Sequence, residues 1–206
     1  MIITANNNSL ANITELPSSI SGGGMTLISE QTASGSATID FTSGIDSTYD
    51  SYVFKFINCH PATDQVGFQF NMSSDTGSNY NVTKTTTFFF AYHDEADSAS
   101  GLGYNTDNDL AQSTAFQNLN FPSLSNDNDS NISGTLTIYN PSSTTFVKHF
   151  IANTNGSVEQ SGGSAPYTEN FYVAGYGNTT SAIDAIRFQM SSGNIDSGVI
   201  KLYGIS

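Results

Sequence analysis

The chain has 206 residues, and its 18 Asp and Glu against five Lys and Arg give a formal net charge of −13. Binding to nucleic acids or to anionic membranes requires clustered basic side chains, so this composition argues against both partners. A single cysteine, Cys59, excludes an intrachain disulfide and is expected to be a small buried thiol. A chain of this length can bury one sizeable core, which favours a single domain.

Residues 1–24 differ from the rest of the chain and are expected to form an N-terminal arm for attachment or docking. Their apolar residues recur at roughly helical spacing, but Pro17 disfavours a helix. The segment 22–24 is all glycine and is a candidate hinge. No secretory signal is visible, so synthesis in a cytoplasm is expected. The candidate attachment residues are Ile2, Ile3, Leu10, Ile13, Leu16 and Ile20.

From residue 25 onward apolar and polar residues alternate, which is typical of β-strands. Strands are predicted at 25–31, 37–42, 50–58, 65–72, 84–92, 134–140, 144–153 and 169–175 and in a terminal pair, with 111–119 as a further candidate. Two segments, 93–130 and 153–166, are predicted to be irregular loops. Parallel sheets need helical crossovers and no helix is predicted, so the sheets should be antiparallel. The sequence thus predicts an all-β domain over 25–206, an antiparallel two-sheet sandwich of about ten strands.

The C-terminal residues are predicted to form a closing β-hairpin. Its first strand carries Ile186 and Phe188 around Arg187, and its second strand carries Lys201 between apolar neighbours. The intervening residues 191–197 are mostly Ser, Gly, Asn and Asp, which suit turns. Because the chain has so few cations, Arg187 and Lys201 are candidate subunit contacts that are expected to meet acidic loops of the same or a neighbouring subunit.

Three carboxylates that follow the strand at 84–92 are candidates for chemistry. Asp94, Glu95 and Asp97 could supply the two carboxylates of a glycoside hydrolase, which makes a carbohydrate-active enzyme one hypothesis. Nothing in the sequence sets the distance between them. No nucleophile elbow and no phosphate-binding glycine-rich loop occurs. We therefore predict no catalytic site and no cofactor, and we regard solvated loop acids as the simpler interpretation.

The segment 127–131 begins like a calcium-binding loop. Asp127 and Asp129 have the expected spacing, but Ile132 stands at the position of the sharp-turn glycine and Ile138 at that of the bidentate glutamate. The three histidines show no spacing typical of a zinc site. No metal site is predicted, although calcium binding by an acidic loop stays open.

Nine stretches of the sequence together resemble one family. They are IDFTSGIDSTY (39–49), YVFKFIN (52–58), HPATD (60–64), YNVT (80–83), AYH (91–93), NPSSTT (140–145), VKHF (147–150), AGY (174–176) and NTTSA (178–182). Taken together they resemble small structural proteins of tailed bacteriophages, especially marine phages that infect cyanobacteria and other ocean bacteria. The resemblance covers about residues 25–205.

The resemblance implies a non-enzymatic protein of the virion surface with a jelly-roll-like sandwich fold. Its expected partners are other virion proteins and further copies of itself, with a trimer suggested by the symmetry of phage particles. As a capsid decoration or cement protein, it would bind the major capsid lattice through residues 1–24. As a tail-fibre or receptor-binding module, it would contact host surface glycans through the loops 93–130 and 153–166.

Overall fold

The computed structural model describes residues 24–158 and 166–206. Twelve strands and no helix occur among these residues. The strands are β1 (Thr26–Ser36), β2 (Ile39–Phe41), β3 (Ser51–Pro61), β4 (Phe68–Ser73), β5 (Lys84–Asp94), β6 (Ser100–Tyr104), β7 (Gln117–Asn118), β8 (Ile132–Tyr139), β9 (Lys148–Val158), β10 (Tyr167–Gly177), β11 (Ala185–Met190) and β12 (Ile195–Ile205). The six candidate attachment residues of the N-terminal arm lie outside the described residues.

The strands form two antiparallel sheets that face each other. The larger sheet has the order β1-β12-β3-β8-β9-β10-β5-β6, and the smaller has the order β2-β11-β4-β7. Every pairing between neighbouring strands is antiparallel. The predicted all-β, jelly-roll-like sandwich is therefore confirmed, with twelve strands in place of about ten.

Phenylalanine rings fill the space between the two sheets. Phe188 of β11 lies at the centre, with its ring centroid 5.2 Å from Phe54, 5.1 Å from Phe56 and 5.9 Å from Phe68. All four side chains are buried. Such contacts bury large apolar areas in mostly edge-to-face geometry, so this cluster holds the small sheet on the large one.

The predicted closing hairpin is wrong. Strand β11 pairs with β2 and β4 in the small sheet, whereas β12 pairs with β1 and β3 in the large sheet. The connection between them crosses from one sheet to the other. Alternation predicts one buried face for each strand, and both strands do point their apolar residues into the core, but from opposite sides. Two strands of opposite sheets satisfy this pattern as well as a hairpin does.

Two further predicted segments also differ from the structure. Strand β1 continues through 32–36, which was predicted to separate two strands, and β9 continues to Val158 through part of the predicted loop 153–166. In the second case Thr154, Gly156 and Val158 keep the inward parity of the strand. Pairing with β8 on one side and β10 on the other outweighs the low strand propensity of Asn, Gly and Ser. The region 93–130 contains the short strands β6 and β7.

Candidate functional site

Four neighbouring strands of the large sheet expose a face without formal charge. Strands β8, β9, β10 and β5 are adjacent in that order, and their residues alternate between the core and solvent. None of the outward-facing residues is Asp, Glu, Lys or Arg, and we call this surface the neutral face. Its residues are Thr85, Thr87, Phe89, Ala91 and His93 of β5; Ser133, Thr135, Thr137 and Tyr139 of β8; His149, Ile151, Asn153, Asn155 and Ser157 of β9; and Thr168, Asn170, Tyr172, Ala174 and Tyr176 of β10.

Large apolar side chains lie side by side on the neutral face. Tyr172 is 51% exposed and Phe89, its partner in register on β5, is 50% exposed. The ring of Phe89 lies 5.5 Å from that of Tyr104 on the edge strand β6, which extends the patch. Ile151 is 49% exposed in the next row. Contiguous apolar surface of this kind marks an interaction site more often than scattered exposed residues do.

A shallow groove of about 480 Å³ runs across the same face. Tyr139, His149 and Tyr176 line it together with Ile151 and the threonines of β5. The rings of His149 and Tyr176 lie 6.1 Å apart in neighbouring strands. The groove therefore offers aromatic and hydroxyl surface without a formal charge.

Asp94, one of the three candidate catalytic carboxylates, has a structural role in a turn. Asp94 is buried, and it accepts hydrogen bonds from the hydroxyl and backbone N–H of Ser98 and from the backbone N–H of Ala99. The hydrogen bond from the Ser98 side chain is the main reason that its pKa lies below the usual value. Asp97 is exposed and lies 3.2 Å from Nε2 of His93. Asp94 therefore stabilises the turn that follows β5.

The acidic segment 127–131 is also held by hydrogen bonds within the chain. Oγ of Ser125 donates to Oδ2 of Asp127 over 2.6 Å, and Oγ of Ser130 donates to the carbonyl of Ser157 over 2.8 Å. Among the residues that the structure describes, no three His, Cys, Asp or Glu side chains are grouped so that they could hold a metal ion.

Cys59 is a buried free thiol, as predicted, and burial raises its pKa to about 12.

Arg187 and Lys201, the two candidate subunit contacts, lie in different sheets and have partners within the chain. Nε and Nη2 of Arg187 donate to the two oxygens of Asp40 on β2, over 2.7 and 2.6 Å. The guanidinium also lies 4.2 Å from the ring centroid of Tyr80. Nζ of Lys201 lies 2.8 Å from Glu30 on β1. The acids that they meet stand on neighbouring strands and not on the predicted acidic loops.

Two buried lysines were not anticipated from the sequence. Nζ of Lys84 donates to Oδ1 of Asn71 over 2.6 Å and to the carbonyl of Val82 over 2.9 Å. Nζ of Lys148 donates to the carbonyl of Phe146 over 2.7 Å. Burial lowers the pKa of both amines, that of Lys84 to about 7. Each lysine begins a strand at an inward position, and this parity was the signal available in the sequence.

Among the described residues no helix is long and apolar enough to cross a membrane. No protein-family model, no curated protein and no solved structure matches this chain. Within the described residues, the feature best suited to bind a partner is the neutral face, an uncharged and partly aromatic surface on a strongly acidic protein.

Proposed function

We propose that this chain is a non-enzymatic structural protein of the bacteriophage virion surface, a capsid decoration or cement protein that self-associates through the neutral face. The virion role rests on the resemblance of the nine sequence stretches, and the observation that carries the self-association is the absence of carboxylates from that face in a chain with 18 of them. Copies with a net charge of −13 repel one another. When two copies meet through an uncharged surface, their carboxylates stay apart. The repulsion between the copies then opposes association less than it would for contact through an acidic surface.

The size of the neutral face also suits a protein–protein contact. Strands about 4.8 Å apart that rise about 3.3 Å per residue give the four-strand face a footprint of about 600 Å². A standard interface buries about 800 Å² on each partner, with aromatic side chains enriched at its centre. Tyr172, Phe89 and Ile151 would occupy that centre. In this proposal residues 1–24 bind the capsid lattice, while the neutral face joins copies of the chain.

Charge substitutions at the centre of the neutral face test the self-association. Ile151→Asp and Tyr172→Asp each place a carboxylate among exposed side chains, so we expect a native circular dichroism spectrum and a loss of oligomer. The matched control is Thr32→Asp, which adds the same charge at an exposed position of the outer strand β1. Sedimentation equilibrium measures the mass of each variant. A wild-type chain that stays monomeric at high concentration would contradict the proposed self-association.

The position on the particle needs a separate experiment. Gold-labelled antibodies against the chain, viewed on intact virions by electron microscopy, should decorate the head at regular positions. Label on the tail alone would overturn the decoration role. Purified capsids should bind the full chain and should not bind a chain that lacks residues 1–24.

A tail-fibre or receptor-binding module is the second candidate, and one feature of the neutral face favours it. A groove of about 320 Å³ beside Tyr92 is lined by uncharged polar groups that include Asn155, Thr168 and Asn170. Amides and hydroxyls suit the hydroxyls of sugars. Soluble chain should then block phage adsorption to host cells, and Asn155→Ala should weaken the block. Unchanged adsorption at a saturating dose would remove this candidate.

A further inference from the structure

A pocket of about 290 Å³ lies on the inward side of the large sheet, between β5, β10 and residues 121–123. Its walls are aromatic. The ring of Phe90 lies 4.7 Å from that of Phe121, and the ring of Tyr92 lies 5.6 Å from that of Tyr167. We call this the aromatic pocket, and its described lining residues are Phe90, Tyr92, Phe121, Ser123, Val158, Tyr167 and Glu169.

Glu169 is the single ionisable carboxyl among the described residues that line the aromatic pocket. It points inward from β10 with the parity of Phe171, and it is only 9% exposed. Its Oε2 is buried and accepts no hydrogen bond. Burial raises the pKa of this carboxyl to about 7. Within the described residues Tyr80 Oη is the other buried side-chain atom that lacks a partner. An unpartnered buried carboxylate is costly, so this position calls for a cation.

None of the five Lys and Arg side chains supplies that cation, because each is engaged elsewhere. Lys84 donates to Asn71 and to the Val82 carbonyl, and Lys148 donates to the Phe146 and Thr179 carbonyls. Arg187 pairs with Asp40, Lys201 pairs with Glu30, and the amine of Lys55 lies 5.3 Å from the ring of Tyr203. The surroundings of the pocket add negative charge. Glu95 and Asp129 line the adjoining groove, which shares Val158 with the aromatic pocket.

We propose that the aromatic pocket binds an alkylammonium group, with Glu169 as its counter-ion. Aromatic faces attract a desolvated cation through their quadrupoles, and they also bury the alkyl chain that carries it. The ammonium can belong to a free amine or to a lysine of a partner protein, since both present the same chemistry. The pocket lies on the opposite side of the sheet from the neutral face, so its occupation does not depend on the proposed function.

The charged and titratable groups around Glu169 set the pH dependence. Strand β5 presents Tyr92 and, further along, Asp94, which Ser98 already engages. Strand β10 presents Tyr167, and β9 presents the apolar Val158. Binding of a cation requires ionised Glu169, so the affinity should rise as the pH increases from about 6 to about 8.

Nuclear magnetic resonance titration of the full-length chain tests the site. The probe is n-butylammonium chloride, and 1-butanol is the neutral probe of the same size. The cation should shift the amide signals of Tyr92 and Tyr167, and Glu169→Gln should weaken its affinity by about tenfold or more, since a charge-assisted contact is lost. The affinity for 1-butanol should stay the same in both proteins. The matched control Glu95→Gln removes one acid outside the pocket and should change the affinity for the cation less than twofold.

Three results would overturn the proposal. They are the absence of a shift with n-butylammonium, an equal affinity for the cation and for 1-butanol, and an unchanged affinity in a Glu169→Gln chain whose spectrum shows a native fold. An Nα-acetyl-lysine methylamide probe then separates the two sources. Tighter binding than n-butylammonium supports a partner's lysine, and weaker binding supports a free amine.

Discussion

Arg187 of β11 and Asp40 of β2 form a bidentate ion pair across the small sheet, with N–O distances of 2.7 and 2.6 Å. The pair lies directly in register between the two strands, and Tyr80 covers the guanidinium on one side. The hydrogen bonds that Arg187 donates to Asp40 raise the pKa of the guanidinium above its usual value. Strand β2 has only three residues, and this pair joins the side chain of its central residue to the neighbouring strand.

Arg187→Ala should therefore reduce the stability of the monomer itself. Both side chains of the pair are about one-third exposed, so solvent screening limits the expected loss in free energy of unfolding to about 1–2 kcal/mol. Lys201→Ala, which removes a monodentate pair with a more exposed partner, should reduce the stability less than Arg187→Ala does. Urea denaturation measures both. A normal stability together with loss of the oligomer would instead identify Arg187 as a subunit contact.

Phe188→Ala should be among the most damaging core substitutions. The ring contacts aromatic side chains of β3 in the large sheet and of β4 beside it, so its removal leaves a cavity at the point where the two sheets meet. The expected loss is about 3–5 kcal/mol in the free energy of unfolding. The matched control is Phe89→Ala on the neutral face, which should cost about 1 kcal/mol or less. Similar losses for both variants would contradict the assignment of inward and outward faces.

The buried amine of Lys84 should make the free energy of unfolding depend on pH in the alkaline range. Its pKa is 10.5 in an exposed lysine and about 7 here, so between these values the unfolded chain binds more protons than the folded one. Stability should therefore increase as the pH rises from about 7 to about 10.5. Thermal unfolding of wild-type protein and of Lys84→Met, compared across this range, isolates the effect. The stability of the variant should not increase with pH over this range as that of the wild-type protein does. If both proteins show the same dependence of stability on pH, Lys84 is not the group responsible.

The crossing between β11 and β12 should be sensitive to the side chain at position 193. Gly193 has a φ of 70°, and a Cβ atom there would collide with Thr63. Gly35 has a similar φ of 63° but no neighbouring atom in the path of a Cβ. Gly35→Ala should cost about 1 kcal/mol for the backbone alone, and Gly193→Ala should cost about 2–3 kcal/mol because the collision adds to it.

Chemical denaturation compares the two glycine variants, and Thr63→Ala provides a further check. If the collision is the cause, Thr63→Ala should remove part of the penalty of Gly193→Ala in a double-mutant cycle. Equal penalties at positions 35 and 193, with no coupling to Thr63, would contradict this explanation.

Much of the fold could be predicted from local patterns. The alternation in 84–92, 134–140 and 169–175 placed three central strands to within a few residues, because one face of each strand must be buried. The same alternation placed Phe188 and Ile186 in the core, where both are fully buried. The composition indicated turns rich in Asn, Ser and Gly and a β-structure without helices.

The neutral face could not be recognised in the same way. Its members come from four segments that are far apart in the sequence, and three of those segments contain charged residues, namely Lys84 and Asp94 in β5, Lys148 in β9 and Glu169 in β10. Glu169 shares the inward parity of Phe171 and Val173, which the alternation shows, but the aromatic pocket around it also includes Phe121 from a distant segment. The absence of charge is thus a property of one side of four paired strands, and it emerges only from their register.

The sequence alone determined which side chains of each strand point to the core, since a period of two is a local property of an extended backbone. Only the tertiary structure decided which strands are neighbours. For residues 185–205 the local pattern was compatible with a hairpin, and the folded chain places β11 and β12 in opposite sheets. Pairing depends on contacts between distant segments, such as Arg187 with Asp40, and a local pattern carries no information about them.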